Sequence, residues 1–274
     1  MKHYIIILSA LIALTACSSS SLGRKQVMLF STSELDKMGS ASFEDMKKNI
    51  PISTDKAINT FVQCVASAVT HNVPKSVHAG DWDVVIFDSA QVNAFALPGG
   101  KIGVYTGILN VTENQDQLGA IIGHEVGHVI EHHSNERLSA SKIQNLGMTA
   151  ATAVIGLTDI ENKNLWMAGL GLGLQYGVIM PYGRSHESEA DIVGQDLMAR
   201  SGFDPKASVK LWQNMAALSE KSGQSAPAEF MSTHPSNKTR INQLTEHLPK
   251  SMPLYKSSNR PRCIKPKVIP QPRK

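Results

Sequence analysis

Residues 124–128 read His124-Glu125-Val126-Gly127-His128, a pattern that leaves this stretch little choice but a helix beside a metal ion. Residues four apart on an α-helix lie one above the other, so both imidazoles reach a single ion from one face. The glutamate next to the first histidine then stands where it can work on water activated by that ion. The flanks agree with a helix. Thr112 followed three residues later by Gln115 has the form of a capping box, and Glu113 and Asp116 suit the positive end of a helix dipole. Leu118, Ile121, Ile122, Val126, Val129 and Ile130 recur at helical spacing, which predicts one buried side. Gly123 and Gly127 leave room for a second backbone beside the histidines. Beyond the pentad, Glu131, His132, His133, Asn135, Glu136 and Arg137 read as a solvated continuation.

Two histidines leave a catalytic zinc one protein ligand short. The segment Ser185-His186-Glu187-Ser188-Glu189-Ala190-Asp191 offers it. Glu187 and Asp191 share a helix face, so one can bind metal while the other braces a ligand histidine through its free ring nitrogen. Spacing alone leaves Glu187, Glu189 and His186 open as the ligand.

The pairing of the pentad with Glu187-x-x-x-Asp191 resembles the HtpX and CAAX-prenyl-protease family of zinc metallopeptidases, of the gluzincin type. Two further stretches carry the likeness. Asn93-Ala94-Phe95-Ala96-Leu97-Pro98-Gly99-Gly100, leading into residues 101–109, resembles the strand segment that precedes the metal helix in that family. His234-Pro235-Ser236-Asn237-Lys238-Thr239-Arg240 resembles its late His-Pro loop. The likeness covers most of residues 50–250, and the whole chain is similar to the family's periplasmic lipoprotein branch. It implies an α+β fold, a mostly helical zincin-like domain with a small β-sheet beside the metal helix. It also implies one Zn2+ per chain held by His124, His128 and Glu187, with Asp191 as the brace and Glu189 a bystander.

Lys2 and His3 precede an apolar run over residues 4–14, and Leu14-Thr15-Ala16-Cys17 follows. Charged, apolar, then small is the order of a secretory signal, and the run is too short to span a bilayer. The last four residues resemble the bacterial lipoprotein cleavage box. That implies removal of residues 1–16, acylation of Cys17 and attachment to a membrane through lipid. Ser18 in such a chain permits export, so the expected location is the outer membrane, facing the periplasm. Residues 17–50 are then the lipidated terminus and tether, 51–250 the peptidase domain and 251–274 a tail. The stretch 249–274 holds six prolines, eight Lys or Arg and no acids, so it should not pack as a unit of its own. Of the three cysteines, Cys64 and Cys263 remain after lipidation, and an oxidising compartment predicts a disulfide between them. The formal charge of +4 is mild; with no phosphate loop or nucleic-acid motif, no nucleic-acid partner is expected.

Residues 82–87 read as a strand, and 92–97 and 102–105 as two extended segments around Pro98-Gly99-Gly100. Asn93, Ala94, Phe95 and Ala96 are candidates for an edge that pairs with an extended substrate, with a buried strand as the competing reading. Residues 148–157 and 165–182 are apolar, but Asp159, Glu161, Asn162, Lys163 and Asn164 interrupt them. They are expected to cover the active-site region rather than to cross a membrane. Leu211, Trp212, Met215 and Leu218 form a stripe for core packing, and a last helix is expected over 235–248.

These readings converge on peptide-bond hydrolysis. Glu125 is the expected general base. His234 and Arg240 are the best donors for the tetrahedral oxyanion, Tyr182 a weaker one, with support of the following helix as the competing role. His234 has a further possibility: imidazole is a good zinc ligand, so a loop swung over the metal would close the site. The expected function is a zinc-dependent endopeptidase acting on damaged or misassembled envelope proteins, its partners being polypeptide substrates, the membrane and the outer-membrane assembly machinery. The alternative is a chaperone-like or scaffold lipoprotein with little proteolysis. Glu125 favours the enzyme, since a binding module has no need of a general base.

Overall fold

The computed structural model describes residues 17–157, 162, 180–221, 233–234 and 238–267. The side chain of Tyr182 and most of the segment expected to cover the site lie outside the described residues. The fold is α+β, with seven α-helices and two small sheets among the described residues. It divides into two compact units, one of Met1–Thr32 with Glu131–His186, the other of Ser33–Ile130 with Glu187–Lys274.

In the second unit the chain begins with helix α1 (Thr32–Asn49) and helix α2 (Lys56–Thr70). Asp55 caps α2 by accepting the Ile58 amide at 2.9 Å. Ile58, Phe61, Val62, Val65, Ala66 and Val69 form its buried stripe. Three strands follow: β3 (Asp83–Phe87), β4 (Ala94–Leu97) and β5 (Lys101–Tyr105), in the order β3-β5-β4. β5 is central, parallel to β3 and antiparallel to β4. Gly99 and Gly100, with φ of 82° and 70°, make the turn from β4 into β5 that residues with a Cβ rarely adopt. Ala94 and Ala96 are buried in the main core with helix α3 (Gln115–Ile130). Phe87, Phe95 and Tyr105 pack with Phe43 of α1 into a smaller aromatic core. Residues 32–49, expected within a tether, are therefore part of the domain. The buried positions Leu35, Gly39 and Phe43 fall one turn apart in an otherwise polar sequence.

Helices α5 (Met180–Arg200), α6 (Lys206–Lys221) and α7 (Lys238–Lys256) follow. α7 runs past the expected end, through Pro249 and Pro253. The chain beyond it is strapped across the start of α3. Cys263 is joined to Cys64 with their Cα atoms 5.6 Å apart. The Gln115 side chain accepts the Cys263 amide at 2.7 Å and donates to the Pro261 carbonyl at 3.1 Å.

The first unit holds a hairpin of β1 (Cys17–Ser19) and β2 (Lys25–Val27), and helix α4 (His133–Gly156). Of the residues read as a solvated continuation, Arg137 is exposed and His132 half-buried, but Glu131, His133, Asn135 and Glu136 are buried. Arg24 forks onto the Glu136 carboxylate at 2.8 and 2.5 Å, Gln26 donates to the Glu131 carbonyl at 2.6 Å, and Asn135 brackets the Phe30 backbone. Helical periodicity reports polarity, not a partner that lies over a hundred residues away. The later part of α4 does face outward at Leu146, Val154 and Leu157. No helix among the described residues is long and apolar enough to cross a membrane.

Candidate metal centre

Helix α3 carries the pentad, and its start is fixed two residues beyond the expected cap. Asn114 Oδ1 accepts the Gln117 amide at 3.0 Å, and Gln117 Oε1 accepts the Glu113 amide at 2.8 Å. Further along, α3 and α5 touch backbone to backbone. A Cβ on Gly123 would lie 2.7 Å from the Gly194 carbonyl oxygen, and one on Gly127 2.9 Å from that of Ala190. This close approach brings Glu187 and Asp191 level with the two histidines.

Four buried side chains converge there, His124, His128, Glu187 and His234, with one ligand atom from each inside a 4.8 Å span. His124 Nε2 is 3.2 Å from His128 Nε2, 3.1 Å from His234 Nδ1 and 3.4 Å from Glu187 Oε2. His128 Nε2 lies 3.4 Å from Glu187 Oε1, and His234 Nδ1 3.0 Å from Glu187 Oε2. A tetrahedral zinc with bonds of about 2.0–2.1 Å separates its ligands by about 3.3–3.4 Å. The spacings therefore match a small dication. The charges agree: Glu125, Glu187 and Asp191 are buried, and Arg240 is the guanidinium buried with them. The carboxylates outnumber the guanidinium, a balance that suits a bound cation.

His186 and Glu189, the competing ligands, are placed otherwise. His186 stacks on His133 with ring centroids 4.1 Å apart and meets Glu136 at 3.0 Å, while Glu189 is buried but not among the converging groups. His133, Glu136 and His186 are themselves near enough to hold an ion. The Arg24 fork on Glu136 already supplies that carboxylate with positive charge, so this second cluster reads as a brace for the N-terminal hairpin.

Around the first cluster, Asp191 Oδ1 lies 3.1 Å from His124 Nδ1. Arg240 gives Nε and Nη2 to Asp191, both at 2.7 Å, and Nη1 to Glu187 at 3.1 Å. Burial alone would lower the pKa of His124, but its bonds to Asp191 and Glu187 push it up to about 9. Burial would raise Asp191 as well, yet the Arg240 charge holds it below the ordinary carboxylate range. Glu187 is held low in the same way by His124 and His234, against its own burial. Glu125 lies beside the cluster, its Oε1 3.4 Å from His234 Nε2. The sequence expected Arg240 to donate to an oxyanion; the structure commits its guanidinium to two carboxylates instead, which the separation of 49 residues from Asp191 concealed.

β4 forms one edge of its sheet and pairs on its other side with β5. Of the candidate edge residues, Ala94, Phe95 and Ala96 lie in β4, while Asn93 precedes it and accepts the Tyr105 amide at 3.1 Å. Cys17 opens β1, opposite Val27.

The sequence matches Peptidase family M48 over residues 53–248. The chain belongs to that family. It is 34% identical to the mitochondrial metalloendopeptidase OMA1 of Schizosaccharomyces pombe over 62% of this chain and 48% of that protein. It is 30% identical to the mitochondrial metalloendopeptidase OMA1 of Danio rerio, over 90% of this chain and 54% of the relative. The beta-barrel assembly-enhancing protease of Yersinia pestis is 28% identical over 77% of this chain and 44% of its own length. The chain thus spans about half the length of the curated relatives it matches.

Proposed function

We propose that this M48 protein is a zinc-dependent endopeptidase that cleaves damaged or misassembled proteins of the bacterial cell envelope, in the lipoprotein branch of its family. The observation that carries the reading is the cage of His124, His128, Glu187 and His234 at tetrahedral spacing, with Glu125 beside it. His124, His128 and Glu187 would hold the ion, which would supply Lewis-acid activation of water at neutral pH. Asp191, with Oδ1 3.1 Å from His124 Nδ1, would take that proton and leave Nε2 to bind the ion. Glu125 accepts a proton from water and passes it to the leaving amine. Arg240 balances the charge of Glu187 and Asp191 and keeps Glu187 in place. His234 Nδ1 stands 3.1 Å from His124 Nε2 and 3.0 Å from Glu187 Oε2, so it would compete with a reacting water for the ion and act as a latch. An extended polypeptide adds to the free edge of β4, where backbone groups confer affinity.

The compartment is supported by chemistry. Residues 1–17 have the order of a lipoprotein signal, and a cross-linked Cys64–Cys263 pair suits an oxidising space. The beta-barrel assembly-enhancing proteases among the relatives favour the envelope and its assembly machinery as the setting.

The test is the Glu125→Gln variant of the full chain. It keeps every ligand and loses the proton acceptor. We expect one zinc per chain by metal analysis, an unchanged fold, and cleavage of an unfolded polypeptide reduced about 10²–10⁴-fold. Retained cleavage with zinc bound would overturn the mechanism.

A further inference from the structure

Trp212 belongs, by its sequence pattern, to the apolar stripe of α6, and it is 3% exposed as a core residue should be. It packs in the main core, and two charged or polar groups of the metal site also touch it. The guanidinium carbon of Arg240 lies 3.9 Å from the centre of its ring, within the range of a cation–π contact. The same indole meets the ring of His124 edge-on, with centroids 5.7 Å apart at 73°. Arg240 reaches Asp191 with two nitrogens and Glu187 with a third, and Asp191 reaches His124 Nδ1. The contacts therefore close into a ring, Trp212 to Arg240 to Asp191 to His124 and back to Trp212.

We propose that Trp212 is a positioning residue for the metal centre: its π face holds the Arg240 fork on Asp191 and Glu187, and its edge fixes the His124 imidazole. The proposal deepens the zinc reading and rests on it. The physical reason lies in how a guanidinium is shared. Its in-plane donors point at carboxylates, which leaves its two faces for stacking or for water. Water on the face would weaken the pull on both carboxylates; an aromatic wall there excludes it and adds attraction through the ring quadrupole. A leucine fills part of the same space and offers no quadrupole. Phenylalanine keeps a smaller ring. This predicts an order among substitutions that simple core packing does not produce at the metal.

The experiment compares the purified full-length chain with Trp212→Phe and Trp212→Leu. Zinc affinity is measured by competition with a chromophoric chelator, and the visible spectrum is recorded after replacement of zinc by cobalt. Loss of a group that orients a ligand costs metal affinity on the order of 10–100-fold. We expect Trp212→Leu to bind zinc at least about tenfold more weakly with an altered cobalt spectrum, and Trp212→Phe to recover most of both. Circular dichroism and the unfolding midpoint show whether each variant is folded; if Trp212→Leu is not, the same comparison between Trp212→Phe and the unaltered chain carries the test, with an intermediate loss expected. Wild-type affinity and spectrum in a folded Trp212→Leu chain would overturn the proposal, as would Phe and Leu variants equally impaired at the metal. If the unaltered chain binds neither zinc nor cobalt, the zinc reading falls and this inference falls with it; weak binding in the variants alone distinguishes the two.

Discussion

His124, Glu125 and His128 were legible as a unit because a four-residue spacing on a helix has one geometric meaning. Glu187 became specific only through its resemblance, since a carboxylate at the start of a helix carries no label. Trp212 packs in the core as its stripe implied, but its contact with Arg240 and the pairing of Arg240 with two carboxylates were not legible: those partners come from other helices, and spacing within a helix does not reveal what faces it. His234 is the residue whose sign is most worth measuring. Its Nδ1 stands 3.1 Å from His124 Nε2, at a corner of the cage. A side chain that blocks the reaction raises activity when it is removed, whereas one that stabilises the oxyanion lowers it. His234→Ala is therefore expected to keep its zinc and to cleave an unfolded polypeptide faster; slower turnover at full metal content would assign His234 to the oxyanion. Asp191 gives a separate test through pH. Its pKa in the folded chain lies below the usual 3.8. The stability it confers is therefore complete above about pH 4 and is lost as pH falls through the lower folded value. The difference in Tm between the wild type and Asp191→Asn should narrow below pH 4. A difference that stays constant to pH 2 would mean that Asp191 confers nothing by its charge.

At the scale of elements, the strands before the metal helix were legible from β-rich runs and the Pro98-Gly99-Gly100 turn, and the metal helix from its apolar spacing. Its contact with α5 was visible only as two glycines without a stated partner. Gly194 is that partner: a Cβ there would come 2.7 Å from the His124 amide nitrogen and 2.8 Å from the Gly123 carbonyl. Both obstacles are backbone, so the helices must separate to admit a methyl group, and Glu187 moves with α5. Gly194→Ala should cost about 1–3 kcal/mol in unfolding free energy and weaken zinc retention. Gly147, inside the exposed part of α4, has nothing within 4 Å of its would-be Cβ. The same substitution there should stabilise by about 0.4–1 kcal/mol, because alanine loses less freedom on folding a helix. Equal effects at the two sites by thermal unfolding would show that the α3–α5 contact is looser than described.

For the whole molecule, the family match over residues 53–248 falls within the stretch expected for the peptidase domain, and the structure packs further segments against it. The N-terminal side adds α1 and the C-terminal side adds the strap that ends on Cys263. Proline and charge made the tail look unpacked, yet the cysteine count predicted the cross-link that pins it; the hydrogen bonds of the strap with Gln115 and Thr112 are what periodicity cannot detect. Cys64 and Cys263 are 199 residues apart in sequence. Closing so long a loop removes chain entropy from the unfolded state, worth about 4–5 kcal/mol on the entropic model, with measured gains often smaller. Cys263→Ser should lower the unfolding midpoint accordingly, and its mobility on non-reducing electrophoresis should match the reduced wild type. The local effect is more particular. Gln115, the first residue of α3, exchanges two hydrogen bonds with the strap, so release of Cys263 should free the first turn of the helix that carries the histidines. Amide exchange at residues 115–118 is expected to quicken in Cys263→Ser while exchange at 124–128 stays slow, because the second stretch is held by α5 rather than by the strap. Unchanged exchange at 115–118, or two free thiols in protein taken from an oxidising compartment, would remove the strap from any account of how this helix is kept in place.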